Sequence, residues 1–248
     1  MKRPSPHAPK FVFLLDYDGT LTDFHKNPDH SRISRPTREI LKRLRRKYPV
    51  IFVSGRNVQS FKKVSGLKGF PVVGSHGFES YRLPGGLRLS TPSLQKKFRR
   101  EAGLLWKAFH SLKEQFPGIH IERKPFSSTI HYRGIPFSRA QEKDLRRRFH
   151  AIVKGTVTAK LWSLQDGKKM LEAKPQGFSK GLAVLKIMKK FPQALPLYAG
   201  DDLNDIPAFK ALGNRGLKVA IGNGIPKGLY NLRFESPDDF VYWLKSFL

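Results

Sequence analysis

Five consecutive apolar residues, Phe11-Val12-Phe13-Leu14-Leu15, run straight into Asp16-Tyr17-Asp18-Gly19-Thr20. A short apolar run with no polar alternation suits a strand buried on both faces, as in parallel sheets covered by helices. The same punctuation recurs at Val50 to Val53, which ends in Ser54-Gly55-Arg56, and at Leu195 to Ala199, which ends in Gly200-Asp201-Asp202-Leu203-Asn204-Asp205. Pro71 to Val73 and Leu217 to Ile221 read as further strands, and helix-like stretches fall at Arg38 to Lys47, Val58 to Val64 and Gly181 to Lys190. Strands alternating with helices predict an α/β fold built on a doubly wound, mainly parallel sheet. Ligands of such sheets bind at the carboxyl ends of the strands, so the polar clusters are expected to converge there.

The middle of the chain reads differently. Leu94 to Gln115 has a helical pattern, Ile119 to Arg123 and Ser128 to Tyr132 read as strands, and Arg139 to Val153 as a second helix. Thr156 to Ser163 and Lys169 to Glu172 then form a hairpin across Leu164-Gln165-Asp166-Gly167, since Asp-Gly is a strong turn signal. The order αββαββ predicts a smaller α+β domain inserted into the larger one. Its expected limits are Pro84-Gly85-Gly86 and Pro175-Gln176-Gly177, giving a core of residues 1–86 and 175–248 and an insert of residues 87–174.

Carboxylates at strand ends point to metal-assisted phosphoryl transfer. A phosphate ester and an attacking carboxylate are both anionic, so a divalent cation is needed to neutralise developing charge. Mg²⁺ takes oxygen ligands, usually one or two carboxylates with water and substrate phosphate; Asp16, Asp18 through its backbone carbonyl, Asp201 and Asp202 are the candidate ligands. Asp16, first after the strand and so held most rigidly, is the candidate nucleophile. Asp18, two residues on, is placed to protonate the leaving oxygen and then deprotonate the attacking water. Ser54, Gly55 and Arg56 offer a hydroxyl, backbone N–H groups and a guanidinium for phosphate. Lys180, opening the helical stretch after Ser179, is placed to neutralise phosphate and orient the nucleophile.

Each fragment has a plainer reading. Asp-x-Asp-Gly also occurs in calcium loops, but an EF-hand needs glycine at the sixth position and glutamate at the twelfth, whereas glycine here is fourth. Gly200 to Asp205 alone would serve as an acidic turn capping the helix that Pro207 starts. Ser-Gly-Arg is common by chance, and a lone lysine is usually a solvated surface residue.

Taken in order, Asp16-x-Asp18-Gly19-Thr20, Ser54, Lys180 and Gly200-Asp201-Asp202 resemble the four motifs of haloacid-dehalogenase-superfamily phosphatases. Further segments narrow the likeness: Gly74-Ser75-His76-Gly77-Phe78-Glu79, Ile121-Glu122-Arg123-Lys124, His131-Tyr132-Arg133, Leu171-Glu172-Ala173-Lys174-Pro175 and Pro237-Asp238-Asp239-Phe240 resemble trehalose-6-phosphate phosphatases. The resemblance spans about Phe11 to Leu244. It implies a dehalogenase-like core whose inserted domain is a mobile cap closing over a sugar, with Glu122, Lys124, Arg133 and Glu172 as sugar-binding residues. It also implies hydrolysis of trehalose 6-phosphate through an aspartyl-phosphate. One departure stands out: the family usually carries Gly-Asp-Asp-x-Thr-Asp-Glu, and this chain has Asn204 for the threonine and Ile206-Pro207 after Asp205. Asn-Asp in this place is common in neighbouring sugar phosphatases, so a sucrose-phosphate or glycosyl-glycerate-phosphate ester is the alternative substrate.

Composition agrees with a soluble enzyme. With no cysteine, disulfides and thiol catalysis are excluded, and the eight histidines show no metal-ligand spacing. No apolar run approaches the ~20 residues of a membrane span, and Met1 to Lys10 lacks the hydrophobic stretch of a signal peptide, reading as a short disordered tail. A cytoplasmic monomer acting on a small phosphorylated disaccharide, with no membrane partner, is expected. The charge is unusual: 47 Lys and Arg against 19 Asp and Glu, a net +28. Such an excess attracts nucleic acid without regard to sequence and draws phosphorylated sugars to a site. The clusters Arg43 to Lys47, Lys96 to Arg100 and Arg146 to Arg148 lie on helical stretches and read as solvated faces. No nucleic-acid-binding module accompanies them, so no specific nucleic acid is expected; a basic binding protein on a phosphatase fold is the rival from another class.

Overall fold

The computed structural model describes residues 10–23, 30–167 and 169–248. All of the expected tail except Lys10 lies outside the described residues. The chain divides into two compact units, one of residues 1–89 and 178–248, the other Ser90–Gly177.

The first unit opens with β1 (Phe11–Leu15), α1 (Arg35–Lys47), β2 (Val50–Val53), α2 (Val58–Ser65), β3 (Val72–Gly74) and β4 (Glu79–Tyr81). The second holds α3 (Pro92–Phe109), β5 (His120–Arg123), β6 (Ser128–His131), α4 (Arg139–Lys154), β7 (Trp162–Gly167) and β8 (Met170–Pro175). The chain then completes the first with α5 (Lys180–Met188), β9 (Leu195–Gly200), α6 (Ile206–Leu212), β10 (Leu217–Ile221), β11 (Leu232–Phe234) and α7 (Pro237–Leu244).

The larger sheet runs β11-β10-β9-β1-β2-β3-β4, parallel throughout except for the antiparallel edge pair β3–β4. Alternate residues of β1 feed two cores. Phe13 and Leu15 join Leu41, Leu44, Phe61 and Phe240 of α1, α2 and α7, while Val12 and Leu14 join Val184, Ile187 and Phe209 of α5 and α6. Helices therefore cover both faces, which explains the unbroken apolar runs. Leu15 pairs with Ala199 on one side and Phe52 on the other, so the carboxyl ends of β9, β1 and β2 are level. Chain order reverses at β1, leaving a crevice between it and β9.

The second unit is a four-stranded antiparallel sheet, β5-β6-β8-β7, backed by α3 and α4. Its αββαββ order matches the sequence reading, but the last hairpin does not. Asp166 and Gly167 are paired positions of β7, opposite Leu171 and Met170, and Thr156 to Leu161 form turns and a single 3₁₀ segment. Gly167 serves contact rather than turning: a Cβ there would lie 2.7 Å from Met170 Cγ. The left-handed backbone of the turn falls on Lys169, at φ 58°. Helix α3 is also displaced from the expected span, starting on the Thr91 N-cap with Pro92 in its first turn and ending at Phe109.

Candidate active site

Asp16 leaves β1 with its N–H donating to Ala199 O at 2.9 Å, which holds it rigidly at the crevice. Its carboxylate is buried, and Lys180 Nζ lies 2.9 Å from its Oδ1. The Ser179 side chain accepts from Leu182 N, capping α5 and placing Lys180 at the helix start, itself buried. The same ammonium donates to Asp205 Oδ1 at 2.7 Å, where Tyr198 OH also donates at 2.5 Å. Asp205 Oδ2 accepts the N–H groups of Asp201 and Asp202 at 3.1 and 3.2 Å.

Asp205 is therefore the hub of the turn after β9. It stands at the N-cap position of α6 but makes no side-chain capping bond, so the simple capping role does not hold. Its four-bond environment of lysine, phenol and two amides was invisible locally, because Lys180 and Tyr198 approach from α5 and β9. Tyr198 gave no signal as a core strand residue.

Oxygens of Asp16, Asp201 and Asp205 all lie within 4.8 Å of one another. Thr20 Oγ1 donates to Asp201 Oδ1 at 3.1 Å, and the Asp201 carboxylate packs so closely on Gly19 that a Cβ there would sit 2.1 Å from Oδ2. Gly19 also stands at φ 75°, so two constraints demand glycine. Asp202 behaves differently. Its exposed carboxylate accepts from Asn204 N at 2.6 Å and Asn204 Nδ2 at 3.2 Å, and it is not part of the three-carboxylate cluster.

The cluster is electrostatically stressed. Burial drives the Asp16 carboxyl well above its ordinary range; the Lys180 ammonium opposes this, and the Asp205 and Asp201 charges add to it. Burial, with Asp205 and Asp202, raises Asp201 to about 7. Burial alone would lower Lys180, but Asp16 and Asp205 outweigh it and hold the ammonium well above its usual range. Fully ionised, three carboxylates against one ammonium would carry two uncompensated negative charges, the deficit a divalent cation fills.

The second strand end holds Asp18 and the Ser54-Gly55-Arg56 loop. Arg56 grips the Asp18 carboxylate bidentately, Nε to Oδ2 at 2.6 Å and a terminal nitrogen to Oδ1 at 2.5 Å. Ser54 Oγ is buried and accepts from Arg56 N at 3.1 Å. The loop from Gly74 to Glu79 braces this one: Ser75 N donates to Arg56 O at 2.7 Å, His76 N to Ser54 O at 3.2 Å, and Glu79 Oε2 accepts from Ser75 Oγ and Val58 N. Ser75 and His76 both take left-handed backbone, φ 49° and 55°. Two such non-glycine residues in succession store strain that only a strongly determined local structure sustains.

In the second unit, Glu122, Thr129, Glu172 and Gln165 sit in register across β5, β6, β8 and β7. Their neighbours in sequence, Ile121, Ile130, Leu171 and Ala173, are buried, so the sheet has one apolar and one polar face. On the polar face Lys124 Nζ is 3.0 Å from Glu172 Oε1 and 3.9 Å from Glu122 Oε2. Ser127 Oγ donates to Glu172 Oε1 at 2.7 Å, and a His131 ring nitrogen lies 2.8 Å from Glu122 Oε2. Burial opposes the Lys124 charge, but Glu172 and Glu122 outweigh it and raise its pKa. The Thr129 hydroxyl, buried in mid-row, has no partner among the described residues. Glu122, Lys124 and Glu172 are thus brought together, while Arg133 is exposed in the turn after β6. Ser127 and His131 join them unpredicted, since nothing in their local sequence marks which face they share.

Residues 14–226 match the sequence family described as trehalose-phosphatase. The chain is 28% identical over 217 residues to a trehalose-phosphate phosphatase of Mycobacterium tuberculosis, covering 84% of this chain and 53% of that protein. It is 28% identical over 245 residues to the trehalose-6-phosphate phosphatase of Escherichia coli, covering 95% and 86%. The chain thus spans about half the length of the mycobacterial relative. A crystal structure of a trehalose-6-phosphate phosphatase related protein shares the fold with a TM-score of 0.78 at 22% identity, covering 95% of this chain and 96% of that one. The C-terminal domain of a Candida albicans trehalose-6-phosphate phosphatase does so with 0.73 at 22%, covering 97% and 92%.

Proposed function

The chain belongs to the trehalose-phosphatase family, and on that premise we propose that it hydrolyses trehalose 6-phosphate to trehalose and inorganic phosphate with Mg²⁺ as cofactor. The observation that carries this reading is the close set of Asp16, Asp201 and Asp205, the first and last of them buried and bonded to the Lys180 ammonium.

Asp16 and Asp201 would hold the cation, because Asp205 already spends both oxygens on Lys180, Tyr198 and two amides. When bound, the cation supplies neutralisation of the charge developing on the phosphoryl oxygens. The chain's own residues do the rest. Lys180 fixes one oxygen of Asp16 and so orients the other for attack on phosphorus, forming an aspartyl-phosphate. Ser54 and the adjoining amides receive phosphate oxygens.

Asp18 protonates the departing sugar oxygen and then takes a proton from the water that hydrolyses the aspartyl-phosphate. For this its carboxylate must part from Arg56. The doubly charged phosphate, a strong partner for the same fork, drives that exchange and gives Arg56 its phosphate-binding role. Glu122, Lys124 and Glu172, with Arg133, recognise the sugar: carboxylates accept from its hydroxyls and the cations donate to them.

Phosphate release from trehalose 6-phosphate, glucose 6-phosphate and sucrose 6-phosphate, with Mg²⁺ or EDTA, tests the reading. Metal-dependent turnover favouring the trehalose ester is expected. Glu172→Gln should lower kcat/KM for that ester by roughly 10- to 100-fold, the scale of one buried charged hydrogen bond, and narrow its lead over glucose 6-phosphate. A preference for sucrose 6-phosphate would keep the chemistry and overturn the sugar assignment.

Stability without metal should depend on pH in a set direction. Asp201 has a folded pKa of about 7 against an ordinary 3.8, so the folded state binds its proton more tightly than the unfolded state does. Its protonated form is therefore favoured by folding, and stability falls as pH rises from about 4 towards about 7, by at most a few kcal/mol. Thermal melts of EDTA-treated protein should show this decline, Mg²⁺ should reverse it and Asp201→Asn should flatten it. Identical pH profiles for wild type and Asp201→Asn would count against the stressed cluster.

A further inference from the structure

We propose that the surface built by α1, the end of α2 and the Gly66–Phe70 loop binds the phosphodiester backbone of nucleic acid without regard to sequence. The excess of 47 basic over 19 acidic residues is starker than it looks, because five of the acids, Asp16, Asp18, Asp201, Asp202 and Asp205, belong to the active-site loops. The remaining surface is left with few counter-charges.

At one place the cations are also organised. Nitrogens of Arg45 and Arg82 lie 3.5 and 3.4 Å from the same point, where a Cβ would stand on Gly69, so two guanidinium groups share one side of the loop. Arg45 is held over Phe70, 4.6 Å from ring to guanidinium carbon, and Lys62 Nζ over Tyr81 at 3.2 Å. Arg38 lies against Gly66, its guanidinium carbon 3.3 Å from the corresponding Cβ position, and its Nε has no acceptor among the described residues. None of Arg38, Arg45, Lys62 and Arg82 is ion-paired among the described residues. Arg82, directly after β4, takes left-handed backbone at φ 50°.

Like charges brought together on ring faces are arranged for a polyanion, and Glu39, the one acid of α1, is already taken by Lys42 at 2.8 Å. Arginine forks suit phosphate oxygens bidentately, and rings that fix the stems preorganise them. The charge spread across α1 continues the track, through the exposed Arg43 and Arg46, where a small anion would need only one enclosed site. A membrane is the weaker fit, since stable attachment adds apolar insertion to charge. The exposed large hydrophobic residues, among them Leu104, Leu203 and Tyr242, fall outside this patch.

The test is fluorescence anisotropy of a labelled, mixed-sequence DNA duplex titrated with the full chain between about 50 and about 200 mM salt. Saturable binding that weakens steeply with salt is expected. Arg45→Gln with Arg82→Gln should weaken it and reduce the slope of log K against log salt by about two. Both side chains are exposed and outside the catalytic set, so phosphatase activity of this variant should stay at the wild-type level. Lys186→Gln with Lys189→Gln, which removes equal charge from α5 and its C-cap on the opposite face of the sheet, should change the slope less. An equal loss in that pair would overturn the assignment to this surface. No saturable binding at about 50 mM salt, or displacement of the duplex by phosphatidylserine vesicles at lower concentration than by unlabelled DNA, would overturn the ligand.

Discussion

Replacing Asp16 by asparagine should cut phosphate release by roughly five to six orders of magnitude, the scale seen when a covalent nucleophile is removed, while the metal-free protein stays folded. The chemical loss follows because an amide oxygen does not form the acyl phosphate. The retained fold follows from the electrostatics. Burial and the Asp205 and Asp201 charges already oppose an ionised Asp16, and asparagine keeps the shape while removing that charge. Lys180 still has Asp205 at 2.7 Å. Thermal melts in EDTA should therefore place the variant at or above wild type, whereas added Mg²⁺ should stabilise it less than it stabilises wild type. Residual metal-dependent turnover near the wild-type rate would remove Asp16 from the nucleophile role.

Lys180→Met should act in the opposite sense on stability. The ammonium is the sole cation bonded to Asp16 and Asp205 among the described residues, at 2.9 and 2.7 Å, and all three groups are buried. Removing one partner of a buried ionic set leaves the others uncompensated, at a cost of about 3–5 kcal/mol. The Asp205 hub also loses a donor, so the turn carrying Asp201 loosens and activity should fall by about 100-fold or more beyond any effect of unfolding. Denaturant melts with phosphate-release assays on the folded fraction separate the two losses. A variant as stable as wild type would show that Lys180 does not hold the cluster together. Lys180→Arg would then distinguish charge from shape, since the planar fork cannot occupy the same buried point between two carboxylates.

Much of the scaffold was readable because its physics is local. Phe11 to Leu15 and Leu195 to Ala199 read as strands covered on both faces, and the structure pairs them with Leu15 beside Ala199. The edge strands were another matter. β4 and β11 have three residues each, too few to show a period, and β11 is mostly exposed. The hairpin was misplaced because Asp-Gly signals a turn only when its backbone must be left-handed, and here space for Met170 decided the glycine.

The acidic residues divide along the same line. Order along the chain determined that Asp16, Asp18 and the Asp201 segment lie at the ends of neighbouring strands, since parallel strands deliver their carboxyl ends to one edge. Which carboxylate in Asp201-Asp202-Leu203-Asn204-Asp205 faces inward is decided by contacts with α5 and β9, and there the tertiary structure chose Asp205 as hub and left Asp202 on Asn204. It likewise joined Arg56 to Asp18 across 38 positions of sequence. Strand identity and end chemistry are short-range properties that burial writes into consecutive residues. The pairing of side chains across a sheet depends on register and rotamer, which no local pattern encodes.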